Sequence, residues 1–270
     1  MAIWPGMKRP LFEEAPGRFF AMKMQGLSPR WLASGMIHIA GDEAKRKRQE
    51  ELFQRIDAEP EGKAEQTQTA HTTVYQQYLK HPSCKWLVRE LEVYHAQPRA
   101  TLTLRFKRIS DERPEVLCSV TTIPDDNLPL ASNGSVPYRP YLDQLPNTCR
   151  DCFPVDGWLD YASEQGSWLW TTRDAPLVAF DRSHIYEGIE SLPERPGRIV
   201  NTLFDNTWMT NFVADQHGML EFRYDLAWSP KQLTAQEAEA WTSSLALEPP
   251  VVGNVQAREH PVYMERLHKP

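Results

Sequence analysis

Cysteine is scarce in this chain, with four residues in 270. A disulfide scaffold needs a denser set of cysteines, so that class of small secreted domain is excluded. Reduced thiols are typical of the cytoplasm, and we therefore expect a cytoplasmic protein. Cys149 and Cys152 have the spacing of a metal or redox pair, but no second pair accompanies them. We expect neither a metal site nor a redox site in this chain.

Long apolar runs are missing as well. No stretch approaches the roughly 18 consecutive apolar residues that a membrane-spanning helix needs. The first twenty residues carry three prolines, two glutamates and no unbroken apolar segment. We expect no signal peptide, no anchor and no membrane partner.

An excess of positive charge is also lacking, because the formal net charge is −6 and the isoelectric point is near 5.8. Nucleic-acid binding depends on clustered basic side chains that neutralise phosphates, so we expect no nucleic-acid partner. The one basic run, Lys45 to Arg48, lies between acidic pairs on both sides. It predicts a solvated helix face.

Common catalytic signatures do not occur: there is no Gly-x-Ser-x-Gly, no P-loop, no Gly-x-Gly-x-x-Gly and no His-Glu-x-x-His. Glycoside hydrolysis needs two carboxylates held at a defined separation, which spacing in sequence cannot show. Most of the 36 acidic residues should serve solvation, and we predict no catalytic residue in this chain. The carboxylates considered for such a pair are Asp125, Asp126, Asp151, Asp156, Asp160, Asp205 and Asp215.

What the chain does have is a composition that suits a packed core, 41% hydrophobic and 10% aromatic. Apolar residues alternate with polar ones in many segments, the period of a half-buried strand. The pattern predicts a mainly β protein, a large antiparallel β-sandwich. The strands predicted in this way include Leu102 to Phe106, Val116 to Val120, Val155 to Tyr161, Ser167 to Thr172, Leu177 to Phe180, Ile199 to Phe204 and Met219 to Trp228.

Three regions are predicted along the chain. Residues 1–65 form an N-terminal segment with a charged helix from Asp42 to Asp57, whose first residue is the N-cap. A polar linker from Ala58 to Gln68 then leads into the β-sandwich of residues 66–232. Residues 233–270 form a C-terminal helix and an extended tail.

The C-terminal helix has a clear start signal. Thr234 and Glu237 have the spacing of a capping box, and Trp241 follows on the apolar side. We expect Trp241 to dock onto the sheet.

Tryptophan is abundant, with nine residues. Trp158, Trp168 and Trp170 fall within thirteen residues. They could act as stacking platforms for a ligand, but buried indoles are the common case and we predict that they pack in the core.

A polar run from Asp205 to Gly218 precedes the last strand. Its amides offer a donor and an acceptor in a fixed plane, and its indole offers a stacking face, which suits recognition of sugar hydroxyls and sugar rings. The alternative is a loop whose amides satisfy its own backbone and whose Trp208 fills the core.

This run resembles a motif in the C-terminal β-domain of glycoside hydrolase family 38, the α-mannosidases and their bacterial relatives. Further segments occur in the order of that family between residues 85 and 228: Arg89 to Tyr94 with Leu102 to Phe106, Cys149 to Asp151 with Trp158 to Asp160, and Thr171 to Val178. The resemblance implies a mutarotase-like supersandwich. Together with the polar run, it predicts a set of substrate-binding residues: Asn206, Trp208, Asn211, Asp215, Gln216, Arg150 and Asp151.

The family's nucleophile and most of its zinc ligands lie in an N-terminal catalytic domain that opens with His-x-Asp, a motif that does not occur here. The resemblance therefore implies the β-sandwich portion of an α-mannosidase-like glycosidase, which lines and supports a sugar site without being catalytic alone. Its partners would be a carbohydrate, an α-mannoside, and a separate catalytic chain. Zinc is implied only for a complete enzyme, and we expect no cofactor in this chain. A stand-alone carbohydrate-binding or scaffolding module and a truncated remnant stay open as alternatives.

Overall fold

A computed structural model describes residues 15–25, 41–109, 113–134, 136–207 and 215–246. Within these ranges the chain is mainly β, with two helices and two large sheets in which all paired strands are antiparallel. Neither described helix is long and apolar enough to cross a membrane.

One sheet has six strands, which we number in chain order together with those of the second sheet. In spatial order they are β10 (Phe153–Pro154), β13 (Leu177–Phe180), β14 (Arg198–Asp205), β7 (Glu115–Thr122), β1 (Arg18–Met24) and β2 (Phe53–Asp57).

The other sheet has nine strands. In spatial order they are β3 (Glu59–Gln68), β4 (Thr72–Lys80), β5 (Cys84–Tyr94), β6 (Arg99–Arg108), β15 (Gly218–Ser229), β12 (Gly166–Thr172), β11 (Trp158–Ser163), β8 (Leu130–Asn133) and β9 (Val136–Tyr138).

The main core lies between the two sheets. Alternate apolar residues of β6 and β15 face it, and β1, β7, β13 and β14 supply the opposite wall. The ring centroids of Phe19 and Phe106 are 5.2 Å apart across the two sheets. The hydroxyl of Tyr224 in one sheet donates to Oδ1 of Asn201 in the other at 2.7 Å. The predicted antiparallel β-sandwich is confirmed.

Each sheet also carries apolar residues on its outer face. Helix α1 (Asp42–Leu52) covers part of the six-stranded sheet, where Leu52 packs with Phe20, Met22 and Val120. Helix α2 (Ala235–Ala246) covers part of the nine-stranded sheet. The sandwich is therefore shielded by a helix on both outer faces.

The predicted C-terminal helix and its start signal are confirmed. The Thr234 backbone N–H donates to Oε2 of Glu237 at 2.8 Å, and the Glu237 N–H donates to Oγ1 of Thr234 at 3.2 Å. Hydrogen bonds lower the pKa of Glu237 to about 2; the bond from the Lys231 ammonium has the largest effect, and those from Thr234 come next. Trp241 packs against the cluster around Trp158 and Leu169, as expected. The predicted tail lies outside the described residues.

The first helix begins at Asp42 as predicted, but its N-cap and its end were predicted wrongly. Helix α1 ends at Leu52, and Phe53 to Asp57 form strand β2 instead of a further helical turn. Gly41 is the N-cap, and it makes no side-chain cap bond. Asp42 does not cap the helix because its carboxylate accepts hydrogen bonds from the backbone N–H groups of Glu190 and Ser191.

The polar linker predicted from Ala58 to Gln68 is also wrong, because Glu59 to Gln68 form strand β3. This strand is exposed along its whole length, and its pairing with β4 shifts between Glu61 and Glu65. The predicted boundary at residue 65 falls inside β3. Strands β1 and β2 place two stretches of the N-terminal segment within the six-stranded sheet, and β3 places its end in the nine-stranded sheet.

The basic run is not fully solvated, which corrects another expectation. Lys45 is buried, and its ammonium donates to the carbonyl of Gly188 at 2.9 Å. Gln49 is also buried; its Nε2 donates to Ser183 O at 3.0 Å, and its Oε1 accepts from Ile185 N at 2.8 Å. Polar side chains of α1 thus hold the loop that follows β13.

We expect Gln49→Ala to lower the free energy of unfolding by about 1–3 kcal/mol, because two buried backbone groups lose their partner. The measurement is urea denaturation. Glu50→Ala is the matched control on the same helix, since Glu50 is exposed and its ion-pair partner among the described residues is Arg46 at the surface. It should change stability by about 0.5 kcal/mol or less. Equal effects of the two substitutions would contradict the docking role of Gln49.

Candidate functional site

The polar run predicted to bind a sugar is described at its two flanks, residues 205–207 and 215–218. Trp208 and Asn211 lie outside the described residues. The flanks belong to the end of β14 and the start of β15, and both meet a buried ion pair at one end of the sandwich.

That ion pair joins Arg108 of β6 to Glu115 of β7, and both side chains are fully buried. Arg108 Nη2 donates to Glu115 Oε1 at 2.8 Å, and the guanidinium lies 3.8 Å from the ring centroid of Phe204. Ser83 Oγ donates to Glu115 Oε2 at 2.7 Å. The Lys23 ammonium lies 3.9 Å from the same oxygen. A buried carboxylate needs such partners, because leaving it unpaired in the core is costly.

Three of the predicted site residues are bonded to this pair. Asn206 Oδ1 accepts from Glu115 N at 2.7 Å. The Asp215 carboxylate forms an ion pair with Arg108, and the carbonyl of Gln216 accepts from Arg108 Nη1 at 2.9 Å. These contacts match the alternative interpretation, in which polar groups of the loop satisfy internal partners.

The other two described site residues hold a different loop. Asp151 is buried, and its Oδ1 accepts from Ile189 N at 3.1 Å. Arg150 Nη1 donates to the carbonyl of Glu190 at 3.3 Å. This is the loop to which helix α1 also docks.

A cleft of about 430 Å³ opens at the opposite end of the sandwich. Strands β7 and β15 both start at the ion-pair end and finish at the cleft, and the 12 residues of β15 span about 36 Å. The cleft lies between the loop after β7 and the turn that joins β11 to β12. Its lining residues are Pro124, Asp125, Asp126, Asn127, Ser163, Glu164, Gln165, Trp168, Trp228 and Pro230.

Two indoles form the floor of the cleft. Trp168 and Trp228 are paired across β12 and β15, with ring centroids 6.5 Å apart and planes inclined by 54°. They are 6% and 7% exposed, so most of each side chain packs in the core. The prediction that Trp168 is a core residue is confirmed, and the same packing holds in place the small exposed part of the side chain that lines the cleft.

Two close backbone approaches, both at glycines, shape the walls. A Cβ at Gly166 would lie 1.9 Å from the carbonyl oxygen of Ser229, and one at Gly197 would lie 2.2 Å from that of Asp125. Only glycine therefore fits at either position. Gly166 lets the β11–β12 turn lie against the end of β15. Gly197 lets the chain before β14 lie against the loop after β7, which carries Asp125 and Asp126 and is called the acidic loop below.

The acidic loop has a defined shape. Asp125 Oδ1 accepts from the backbone N–H of Asn127 at 2.8 Å and from Asn127 Nδ2 at 2.9 Å. This local turn fixes the Asp125 carboxylate. Asp126 and Asn127 are exposed on the wall of the cleft.

A buried carboxyl lies close to this loop. Asp160 on β11 is 4% exposed, and its Oδ1 has no hydrogen-bond partner among the described residues. Burial raises the pKa of Asp160 to about 6; the charge of Asp125 adds to the shift, and a hydrogen bond from Ser167 opposes it. The negatively charged form of the Asp160 carboxyl is thus disfavoured at this position.

A larger, more open groove of about 570 Å³ lies beside β3, β4 and β5. It carries acidic and basic side chains together, and Lys80 pairs there with Glu61 at 3.1 Å. Its lining offers less distinct chemistry than the two-tryptophan cleft.

Metal chemistry finds little support in the described ranges, where no group of three or more His, Cys, Asp or Glu residues is placed to hold an ion. The residues described do not fit a zinc site. Cys149 is exposed and Cys152 half-buried, and burial raises the pKa of the Cys152 thiol to about 11.

Sequence reasoning did not find the cleft. Its lining comes from three separated stretches, residues 124–127, 163–168 and 228–230, which only the strand order brings together. The available signal was the acidic turn Pro124 to Asn127 beside a strand end, since turns at strand ends often carry binding groups.

No protein-family model matches this chain, and no curated protein matches it. Among solved structures, the fold is similar to that of an alpha-mannosidase from Enterococcus faecalis V583 and to that of a protein in glycosyl hydrolase family 38 from Enterococcus faecalis. For each, the TM-score is 0.50 and the sequence identity 9%, over 80% of this chain and 26% of the other. This likeness shows a related fold, and the present chain spans about a quarter of those proteins.

We expect Arg108→Met to lower the free energy of unfolding by about 3–5 kcal/mol, because Glu115 would be left charged and buried. Arg105→Met on the same strand is the control. Arg105 pairs with Glu221 at the surface, where the loss should be about 1 kcal/mol or less. Urea denaturation of both variants at pH 7 measures the difference. Similar losses would show that the Arg108 pair does not hold this end of the sandwich.

Proposed function

Starting from the fold shared with one part of family 38 proteins, we propose that this chain is a carbohydrate-binding β-sandwich module of an α-mannosidase-like system and is not catalytic alone. Its sugar site is the two-tryptophan cleft. The observation that carries the proposal is the juxtaposition of Trp168 and Trp228 with carboxylate and amide side chains on both walls.

Sugars suit such a surface because they have two kinds of face. The C–H groups of a pyranose ring pack against an aromatic side chain, whereas the hydroxyls need donors and acceptors. Asn127 and Gln165 carry amides on opposite walls, and Asp126 and Glu164 add carboxylates. A volume of about 430 Å³ is within the usual range of small-ligand pockets.

The remainder of the proposal concerns partners. The chain spans 26% of the length of the solved proteins that it resembles, which supports a role as one part of a larger assembly. A separate catalytic chain would then supply the nucleophile, and the natural ligand would be an α-mannoside. Trp208 and Asn211, which lie outside the described residues, stay predicted sugar contacts.

The test is binding of methyl α-mannoside, measured by saturation-transfer difference NMR. We expect sugar signals with the unaltered chain and their loss with the double variant Asp126→Ala/Gln165→Ala, which removes a hydrogen-bonding group from each wall. Both side chains are exposed, so folding should be unaffected.

Glu59→Gln is the matched control for this experiment. Glu59 lines the second groove, several strands away in the same sheet. Loss of the sugar signals in this control, with retention in the double variant, would move the site to the second groove and reject the cleft.

Catalysis is tested separately. The purified chain, with zinc and then with cobalt, should release no aryl leaving group from an aryl α-mannoside above a heat-denatured control, because the His-x-Asp motif of the family does not occur in it. Turnover that disappears in Asp205→Asn or Asp215→Asn would show that the chain is catalytic by itself.

A further inference from the structure

The cleft is one-sided in charge. Of the described residues that line it, three are acidic and none is basic; the acids are Asp125, Asp126 and Glu164. They lie on both walls, because Asp125 and Asp126 come from the loop after β7 and Glu164 comes from the β11–β12 turn. A ligand held over the indoles would therefore face carboxylates from two directions.

Basic side chains near the cleft in sequence are bonded to other groups. Lys231 follows the lining residue Pro230, and its ammonium bonds Glu237 at 2.6 Å. Arg195 and Arg198 flank Gly197; Arg195 bonds the carboxylate of Asp181 at 2.7 Å, and Arg198 bonds its carbonyl at 2.7 Å. None of these three residues is among the described lining residues of the cleft.

The two indoles of the cleft also favour a positively charged ligand. The face of an indole ring carries a negative potential, so a ligand cation placed over either ring would be attracted to it. The bonds from Asn127 to Asp125 hold one carboxylate in place, so the charge on this wall is preorganised.

We infer that the cleft selects a sugar that carries a protonated amine, an amino sugar, over the matching neutral or acidic sugar. The inference rests on the proposed function, in which this cleft binds carbohydrate. The ammonium would lie between the Asp126 and Glu164 carboxylates, while the ring packs on Trp168 and Trp228. An N-acetylated sugar, which carries no charge, would lose this preference.

The test compares methyl 2-amino-2-deoxy-α-mannoside with methyl α-mannoside at pH 6.5, where an amine of this kind is mostly protonated. Dissociation constants come from NMR titration. We expect binding of the amine to be at least about fivefold tighter, the factor that one or two exposed ion pairs supply. The preference should shrink in high salt, because exposed charges are screened.

The variant that tests the assignment is Asp126→Asn/Glu164→Gln, which removes charge and keeps shape. It should bring the two dissociation constants together, because the ammonium loses both of its charged partners. Glu59→Gln/Glu61→Gln removes the same two charges from the exposed strand β3 and should preserve the preference.

The outcomes separate the inference from the proposed function. Equal binding of the two sugars by the unaltered chain would overturn the amine preference and leave a sugar-binding cleft. A preference that survives in Asp126→Asn/Glu164→Gln would overturn the assignment to these carboxylates. If neither sugar binds, both the preference and the proposed function are wrong.

Discussion

The buried pair of Arg108 and Glu115 is the interaction on which the arrangement of the two sheets depends. It places a strand of the nine-stranded sheet and a strand of the six-stranded sheet in contact through two opposite charges that water cannot reach. A buried charge destabilises the fold unless it is paired and hydrogen-bonded, so the side chains around this ion pair must supply further partners. Ser83, Lys23 and Asp215 meet that requirement from three other parts of the chain. One end of the sandwich is therefore closed by polar contacts whose geometry permits little adjustment.

The opposite end is organised differently, and the contrast explains how a cleft can exist there. No comparable ion pair bridges the sheets among the described residues that line the cleft. The cleft is lined instead by Trp168 and Trp228 and by backbone that approaches closely at Gly166 and Gly197. Two sheets that are joined by an ion pair at one end can leave room for a cleft at the other end. The polar loop that looks most like a sugar site is thus anchored at the closed end, whereas space for a ligand lies at the open end.

Much of the fold could be predicted because strands packed on one face alternate in polarity. Leu102 to Phe106 in β6 and Leu220 to Trp228 in β15 are examples. Strand β3 could not be found in this way, since both of its faces are exposed and it has no apolar side. The burial of polar residues in helix α1 could not be predicted either. Lys45 and Gln49 donate to loop carbonyls, and residue type alone does not show such a role. The cleft was missed because its walls are distant in sequence, and Asn206 could not be recognised as a partner of the Glu115 backbone before β7 and β14 were paired.

Gly166 and Gly197 also affect how natural variation in this protein should be interpreted. Any side chain at either position would collide with a carbonyl oxygen, so selection would retain glycine there whatever the cleft binds. Invariance at these two positions would consequently carry no information about the ligand. Asp126 and Glu164 are exposed and free of that steric demand, so an exchange between acidic and neutral residues at those positions would record a change in the ligand charge that the cleft favours.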